Sequence, residues 1–142
     1  MFNIADDDKG HYYYRDDGIP NSLSLVATTT LDDGSITDFD PDYAYTPHSW
    51  FRFDIDDTLP QLVVTDAVFI DGYSQSGASE NTLAIGDDAN LRIEFTSTAA
   101  DNKLGFFFSG NSGGSTLQGV AINEFGSHGV VVDGGVDDVT NR

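Results

Sequence analysis

The sequence contains no cysteine, one methionine, four prolines and only 6 Lys+Arg against 24 Asp+Glu. Each shortage excludes something. Without cysteine there is no disulfide scaffold, no thiol nucleophile and no thiolate zinc site. A formal charge of −18 repels a phosphate backbone, so no nucleic-acid partner is expected. Anionic membrane surfaces are disfavoured for the same reason. No apolar run approaches the roughly 18 residues of a spanning helix, so no membrane insertion is expected. Helix patterning is equally scarce: no long window repeats apolar residues at i, i+3, i+4 and i+7. A secretory leader is not legible either, because Met1-Phe2-Asn3 runs directly into Ala5-Asp6-Asp7-Asp8.

What remains is the material of a folded β protein. A hydrophobic content of 39%, with ten Phe and six Tyr, can build a core that a disordered acidic chain lacks. The length of 142 residues suits one domain, with or without an appendage. Excess carboxylate has two compatible readings. One is a salt-adapted or marine secreted surface, kept soluble by charge. The other is calcium binding, because carboxylate oxygens suit hard cations.

Short apolar segments recur between Gly, Asn, Asp and Ser clusters. Tyr12–Arg15 and Leu23–Thr30 read as strands in the first fifty residues. Further strands are expected at Phe51–Ile55, Gln61–Val64, Ala67–Ile70, Leu91–Phe95, Gly105–Phe108, Val120–Ile122 and Gly129–Val132. Asp71 to Asn90 reads as a long polar excursion, and Ser109–Ser115 as a turn. Leu104-Gly105-Phe106-Phe107-Phe108-Ser109-Gly110 is echoed by His128-Gly129-Val130-Val131-Val132-Asp133-Gly134 at an offset of 24 residues. Short strands repeating at that period suit a parallel β-solenoid. A β-sandwich is the alternative, since it also shows short strands between turns. Core candidates are Val63, Val68, Ile70, Leu91, Ile93, Phe95, Phe106, Phe108, Val120, Ile122, Val130 and Val132.

The stretch Leu59-Pro60-Gln61-Leu62, then Thr65-Asp66-Ala67-Val68-Phe69-Ile70-Asp71-Gly72-Tyr73-Ser74-Gln75-Ser76-Gly77-Ala78, carries a resemblance. So do Leu104, Ser115-Thr116-Leu117-Gln118-Gly119-Val120-Ala121-Ile122-Asn123-Glu124-Phe125-Gly126 and Gly129-Val130. Together they resemble the right-handed parallel β-helix (pectate-lyase-like) segments of large bacterial cell-surface and secreted proteins. The likeness spans about residues 58–142, and residues 5–50 resemble the segment that precedes it in some of those proteins. Ser76 stands where the family has Pro, and Gln118 and Glu124 where it often has basic residues. The resemblance implies an all-β, right-handed parallel β-helix over residues 51–142, truncated at Arg142, with residues 1–50 as an N-terminal cap or flanking strands. It implies a piece of a longer extracellular or cell-surface protein, able to self-associate through the open end of its solenoid.

Candidate chemistry is sparse. Asp38, Asp40 and Asp42 alternate, and Asp54 and Asp56 follow, which makes them calcium candidates; as an EF-hand the run fails at Tyr43 and Ser49. His11, His48 and His128 would have to converge to form a three-His site. Trp50, Tyr12 and Tyr14 are candidate sugar-stacking aromatics. Asp71, Glu94, Glu124 and Asp133 are the candidate catalytic carboxylates of a polysaccharide lyase or glycoside hydrolase. Arg92 and Lys103 are too few for an anionic substrate. Asn123 is expected to stack with Asn141 in an amide ladder. The expected function is a non-catalytic adhesive or structural module, calcium being a candidate cofactor and a polysaccharide or surface glycan the candidate partner. A carbohydrate-active enzyme or a glycan-binding module on the same fold is the alternative.

Overall fold

The computed structural model describes residues 1–5, 10–30, 32–37, 39, 48–98, 103–133 and 140–141. It is all-β: its helical content is confined to single 3-10 turns at Asp33–Ser35 and Gly72–Ser74 among the described residues. None of those residues belongs to a helix long and apolar enough to cross a membrane.

The chain opens with an antiparallel hairpin of β1 (His11–Asp16) and β2 (Leu23–Thr28). Asp16 Oδ1 accepts from Gly18 N at 2.7 Å, and Asp17 accepts from Ile19 N and Ser22 Oγ, which closes the connection. Thr30 N donates to Thr28 Oγ1, so β2 ends at Thr28 rather than running to Thr30. Alternation buries His11 and Tyr13 on one face of β1 and leaves Tyr12 and Tyr14 half-buried on the other. Tyr12 pairs with Trp50 through two backbone bonds of 2.8 and 2.9 Å, and this bridge ties the hairpin to the remainder.

Among the described residues, nine strands follow: β3 (Phe51–Asp54), β4 (Leu62–Asp66), β5 (Phe69–Asp71), β6 (Ile93–Thr96), β7 (Phe106–Asn111), β8 (Thr116–Gln118), β9 (Ala121–Ile122), β10 (Val130–Val132) and β11 (Thr140–Asn141). They form three parallel sheets, in the orders β3-β6-β9, β4-β7-β10 and β5-β8-β11. The chain therefore visits the three sheets in the same order three times. The echo in the sequence is the pairing register: Phe106, Phe107 and Phe108 lie beside Val130, Val131 and Val132. Thr116 pairs with Thr140 at the same spacing. The first circuit is longer because the excursion after Asp71 is inserted before Ile93; Ser79 and Asn90 bridge its neck.

Register explains the core. Inward positions align as Phe53–Phe95–Ile122, Leu62–Phe106–Val130, Val64–Phe108 and Ile70–Leu117. Phe106, Phe108 and Leu117 are buried at their centre. Phe95 meets Phe106 edge-on at 5.0 Å and lies stacked on Phe53 at 5.3 Å. Burial of a side chain such as Phe108 contributes roughly 1.5–3 kcal/mol. Three core expectations fail. Val63 is 51% exposed, because Leu62 and Val64 take the inward pleat; Val68 is 37% exposed just before β5, and Val132 is 46% exposed at the edge strand β10. Leu62, Val64 and Leu117 occupy the core instead, and β8, on which Leu117 sits, was not expected as a strand. Ser109-Gly110-Asn111 belongs to β7, so the expected turn shrinks to Ser112–Ser115. The expected Asn123–Asn141 stack has no shared register, since Asn123 follows β9 whereas the backbone of Asn141 pairs with Leu117 in another sheet.

The N-terminal residues dock on the same body. Gln75 exchanges two bonds with the backbone of Ile4, at 2.9 and 2.7 Å, and Phe2 N donates to Ser74 Oγ. The Phe2 ring lies 6.3 Å from both Phe53 and Phe95.

Neighbouring circuits touch through glycine. A Cβ on Gly72 would lie 1.9 Å from the Gly119 carbonyl oxygen, and one on Gly105 would lie 2.1 Å from that of Gly129. Backbone cannot yield as a flexible side chain can. Gly72→Ala and Gly105→Ala should each destabilise the protein by about 3 kcal/mol or more, lowering the thermal midpoint by roughly 6–12 °C. Gly10→Ala, with open space around it, should leave the midpoint within about 1 °C. Differential scanning calorimetry of the three variants checks this.

Candidate functional site

The outward face of the β3-β6-β9 sheet carries the densest polar network. In register, Arg52 lies beside Glu94. Glu94 is 9% exposed, and both its oxygens are engaged. Trp50 Nε1 donates to Oε2 at 2.6 Å and Asn123 Nδ2 to Oε1 at 2.7 Å, while Arg52 Nε stands 4.0 Å away. Arg52 Nη2 also donates to Glu124 Oε2 at 3.1 Å, and Thr96 Oγ1 donates to the same oxygen at 2.9 Å. Glu124 has φ 58°, a left-handed conformation rare for its type, and these two bonds hold it there.

Beside this network lies a cleft of about 250 Å³. Tyr14, His48, Trp50, Asp87, Glu94 and Asn123 contribute its aromatic and polar walls. The Tyr14 and Trp50 rings pack at 5.1 Å with a 47° tilt. The cleft gathers residues from β1, from the segment before β3, from the excursion after β5, from β6 and from the end of β9. Two of the candidate sugar-stacking aromatics, Trp50 and Tyr14, thus line the cleft together. Tyr12 contributes through its backbone bond to Trp50 and does not line the cleft.

The four candidate catalytic carboxylates do not converge. Asp71 accepts from Tyr73 N and Gln118 Nε2, both at 3.1 Å, on the β5-β8-β11 sheet. Asp133 is exposed after β10. Glu94 and Glu124 flank the guanidinium of Arg52, which balances their charge.

The calcium candidates divide. Asp38, Asp40 and Asp42 lie outside the described residues. Asp54 accepts from Thr98 N at 3.0 Å and Thr98 Oγ1 at 2.9 Å; Asp56 accepts from Thr58 N at 2.8 Å and Thr58 Oγ1 at 2.6 Å. The side-chain bond from Thr58, then that from its backbone, lowers the Asp56 pKa. Among the described residues no group of three or more His, Cys, Asp or Glu side chains is placed to hold a metal ion. His11 is buried against Phe51, His48 lines the cleft, and His128 is exposed beside Ser127.

Sequence reasoning missed a second cluster. Asp33 accepts from Ser49 N at 2.9 Å, from Ser49 Oγ, and from Arg92 Nη1 at 2.6 Å. The Ser49 hydroxyl also contacts His11 Nδ1, and Ser49 and His11 are fully buried. The order is carboxylate, hydroxyl, imidazole, so the serine is pinned between partners and is not an activated nucleophile. The link from Asp33 to Arg92 spans 59 residues, which no local pattern displays.

Compared with known proteins, the chain matches no family model, no curated sequence and no solved structure.

Burial pushes the Asp33 carboxyl upward, but the two bonds from Ser49 and the Arg92 guanidinium outweigh it, and its pKa falls below the ordinary value. Its stabilisation is therefore complete above the unfolded value of about 3.9 and is lost as pH falls through the lowered native value. Asp33→Asn should cost about 2 kcal/mol at neutral pH, less than the roughly 3–5 kcal/mol of a fully buried broken pair. The gap between wild type and variant, measured by urea unfolding, should hold constant down to about pH 5 and narrow as pH falls through about 3.9 and on through the lower native value.

Proposed function

We propose that the chain is a segment of right-handed parallel β-helix, with residues 1–50 as its N-terminal cap, serving as a non-catalytic structural or adhesive module of an extracellular or cell-surface protein. The observation that carries this reading is the pairing of each strand with the strand three places later, at a 24-residue register in the final circuit. The docking of Phe2 and Ile4 on the first circuit suits a cap. The edge strands β9, β10 and β11 are the place where a continuing chain or a second copy would add further turns. Calcium enters this proposal only through Asp38, Asp40 and Asp42.

The non-catalytic part is supported by how the carboxylates are used. Asp71 and Glu94 accept bonds that maintain the fold, and Glu124 is tied to Arg52. A general acid needs a proton it can deliver to a substrate oxygen, and a nucleophile needs an open approach. Neither suits a carboxylate held between an indole, an amide and a guanidinium.

Incubation of the purified chain with neutral and uronate-containing polysaccharides should release no reducing ends and form no unsaturated uronate. Turnover that disappears in Glu94→Gln or Asp71→Asn would overturn the reading in favour of a carbohydrate-active enzyme.

A further inference from the structure

We infer that the cleft beside Glu94 binds one ring of a neutral sugar, which would make it the adhesive site of the module proposed above and rests on that reading. Three observations converge. The first is the aromatic wall. Trp50 is half-buried, and its indole N–H is fixed on Glu94 at 2.6 Å, so the ring has one orientation before any ligand arrives. Tyr14 braces it from the side at 5.1 Å. An aromatic plane of this kind covers the C–H face of a pyranose.

The second is the unused hydrogen-bonding capacity around it. Asn123 is exposed and spends one N–H on Glu94, which leaves a second N–H and its carbonyl oxygen. Asp87 accepts from Ala89 N through Oδ1 at 2.9 Å, which leaves Oδ2. A donor and two acceptors beside an aromatic ring match vicinal hydroxyls, each of which both gives and accepts a bond. A quaternary ammonium could use neither kind of bond, and Arg52 already stands by Glu94 as a counter-charge.

The third is charge and size. Asp87 and Glu94 both line the cleft, and the chain carries −18, so a uronate, sulfate or phosphate would be repelled. The volume of about 250 Å³ is below that of drug-sized pockets and suits a single ring at a chain end or branch.

Trp50 is the only tryptophan, so its fluorescence reports this cleft alone. The whole chain is titrated with the methyl glycosides of glucose, galactose, mannose and N-acetylglucosamine, with glucuronate and choline as contrasts. At least one neutral glycoside should give a saturable change, and neither contrast should. Asn123→Ala and Asp87→Ala, both at exposed positions, should keep the wild-type circular dichroism and weaken that binding at least tenfold. Saturation by no neutral glycoside, saturation by glucuronate or choline, or undiminished binding in both variants would each overturn the assignment. A chain that binds no glycoside yet degrades no polysaccharide loses the sugar assignment while the non-catalytic reading stands.

Discussion

The structure depends on backbone hydrogen bonds between strands that are three places apart in the chain. Parallel pairing places inward positions over their equivalents in the next circuit, with one register shift between Val64 and Asp66. Phe53 over Phe95, Phe106 over Val130 and Ile70 over Leu117 all follow from that pairing. The same pairing brings the connecting corners into contact. Gly72 under Gly119 and Gly105 under Gly129 are the residues that let those corners meet. A slip of one residue would turn Val63 and Phe107 inward and carry Leu62 and Phe106 to the surface.

The acidity acquires a structural use within this frame. The carboxylates are 21 Asp against 3 Glu, and the shorter side chain is the one that reaches its own backbone two residues on. Asp16, Asp17, Asp32, Asp56, Asp71 and Asp87 each accept from the N–H of the residue two places later. Asp54, Asp56 and Asp88 clamp threonine hydroxyls. A chain of many short strands has many corners, and these corners are closed by aspartate. Self-repulsion from a net charge of −18 is the cost, offset locally by Arg92 on Asp33 and Arg52 between Glu94 and Glu124.

Much of this was legible in the residues, for reasons that can be stated. The β class followed from short alternating segments and missing helix periodicity. The spacing of the last circuit followed from the likeness of Gly105–Phe108 to Gly129–Val132, because identical environments select similar side chains. The pleat of β4 was not legible: Gln61-Leu62-Val63-Val64 is apolar on both faces, and only its neighbour Phe106-Phe107-Phe108 decides which face points inward. Strand β8 was hidden because Thr116-Leu117-Gln118 offers one apolar residue among turn formers. For the site, Trp50 and Tyr14 could be named from their type, and Glu94 from its place on an alternating strand. Their meeting with Asn123 and Asp87 depends on the three-place pairing and on the fold-back of the excursion after Asp71, which are long-range. The Asp33–Ser49–His11 chain was invisible for the same reason.

Parallel stacking of strands three places apart is the claim on which the rest stands, and it has a direct spectroscopic signature. In an isotope-labelled sample, cross-strand nuclear Overhauser contacts should link the amides of Val130–Val132 to the α-protons of Phe106–Phe108 at the 24-residue register. The same strands Leu62–Asp66 should show equivalent contacts to Phe106–Asn111 from the other side. Short α-proton to α-proton contacts among these strands would instead mark antiparallel pairing. That result would place the chain among β-sandwiches and contradict the account.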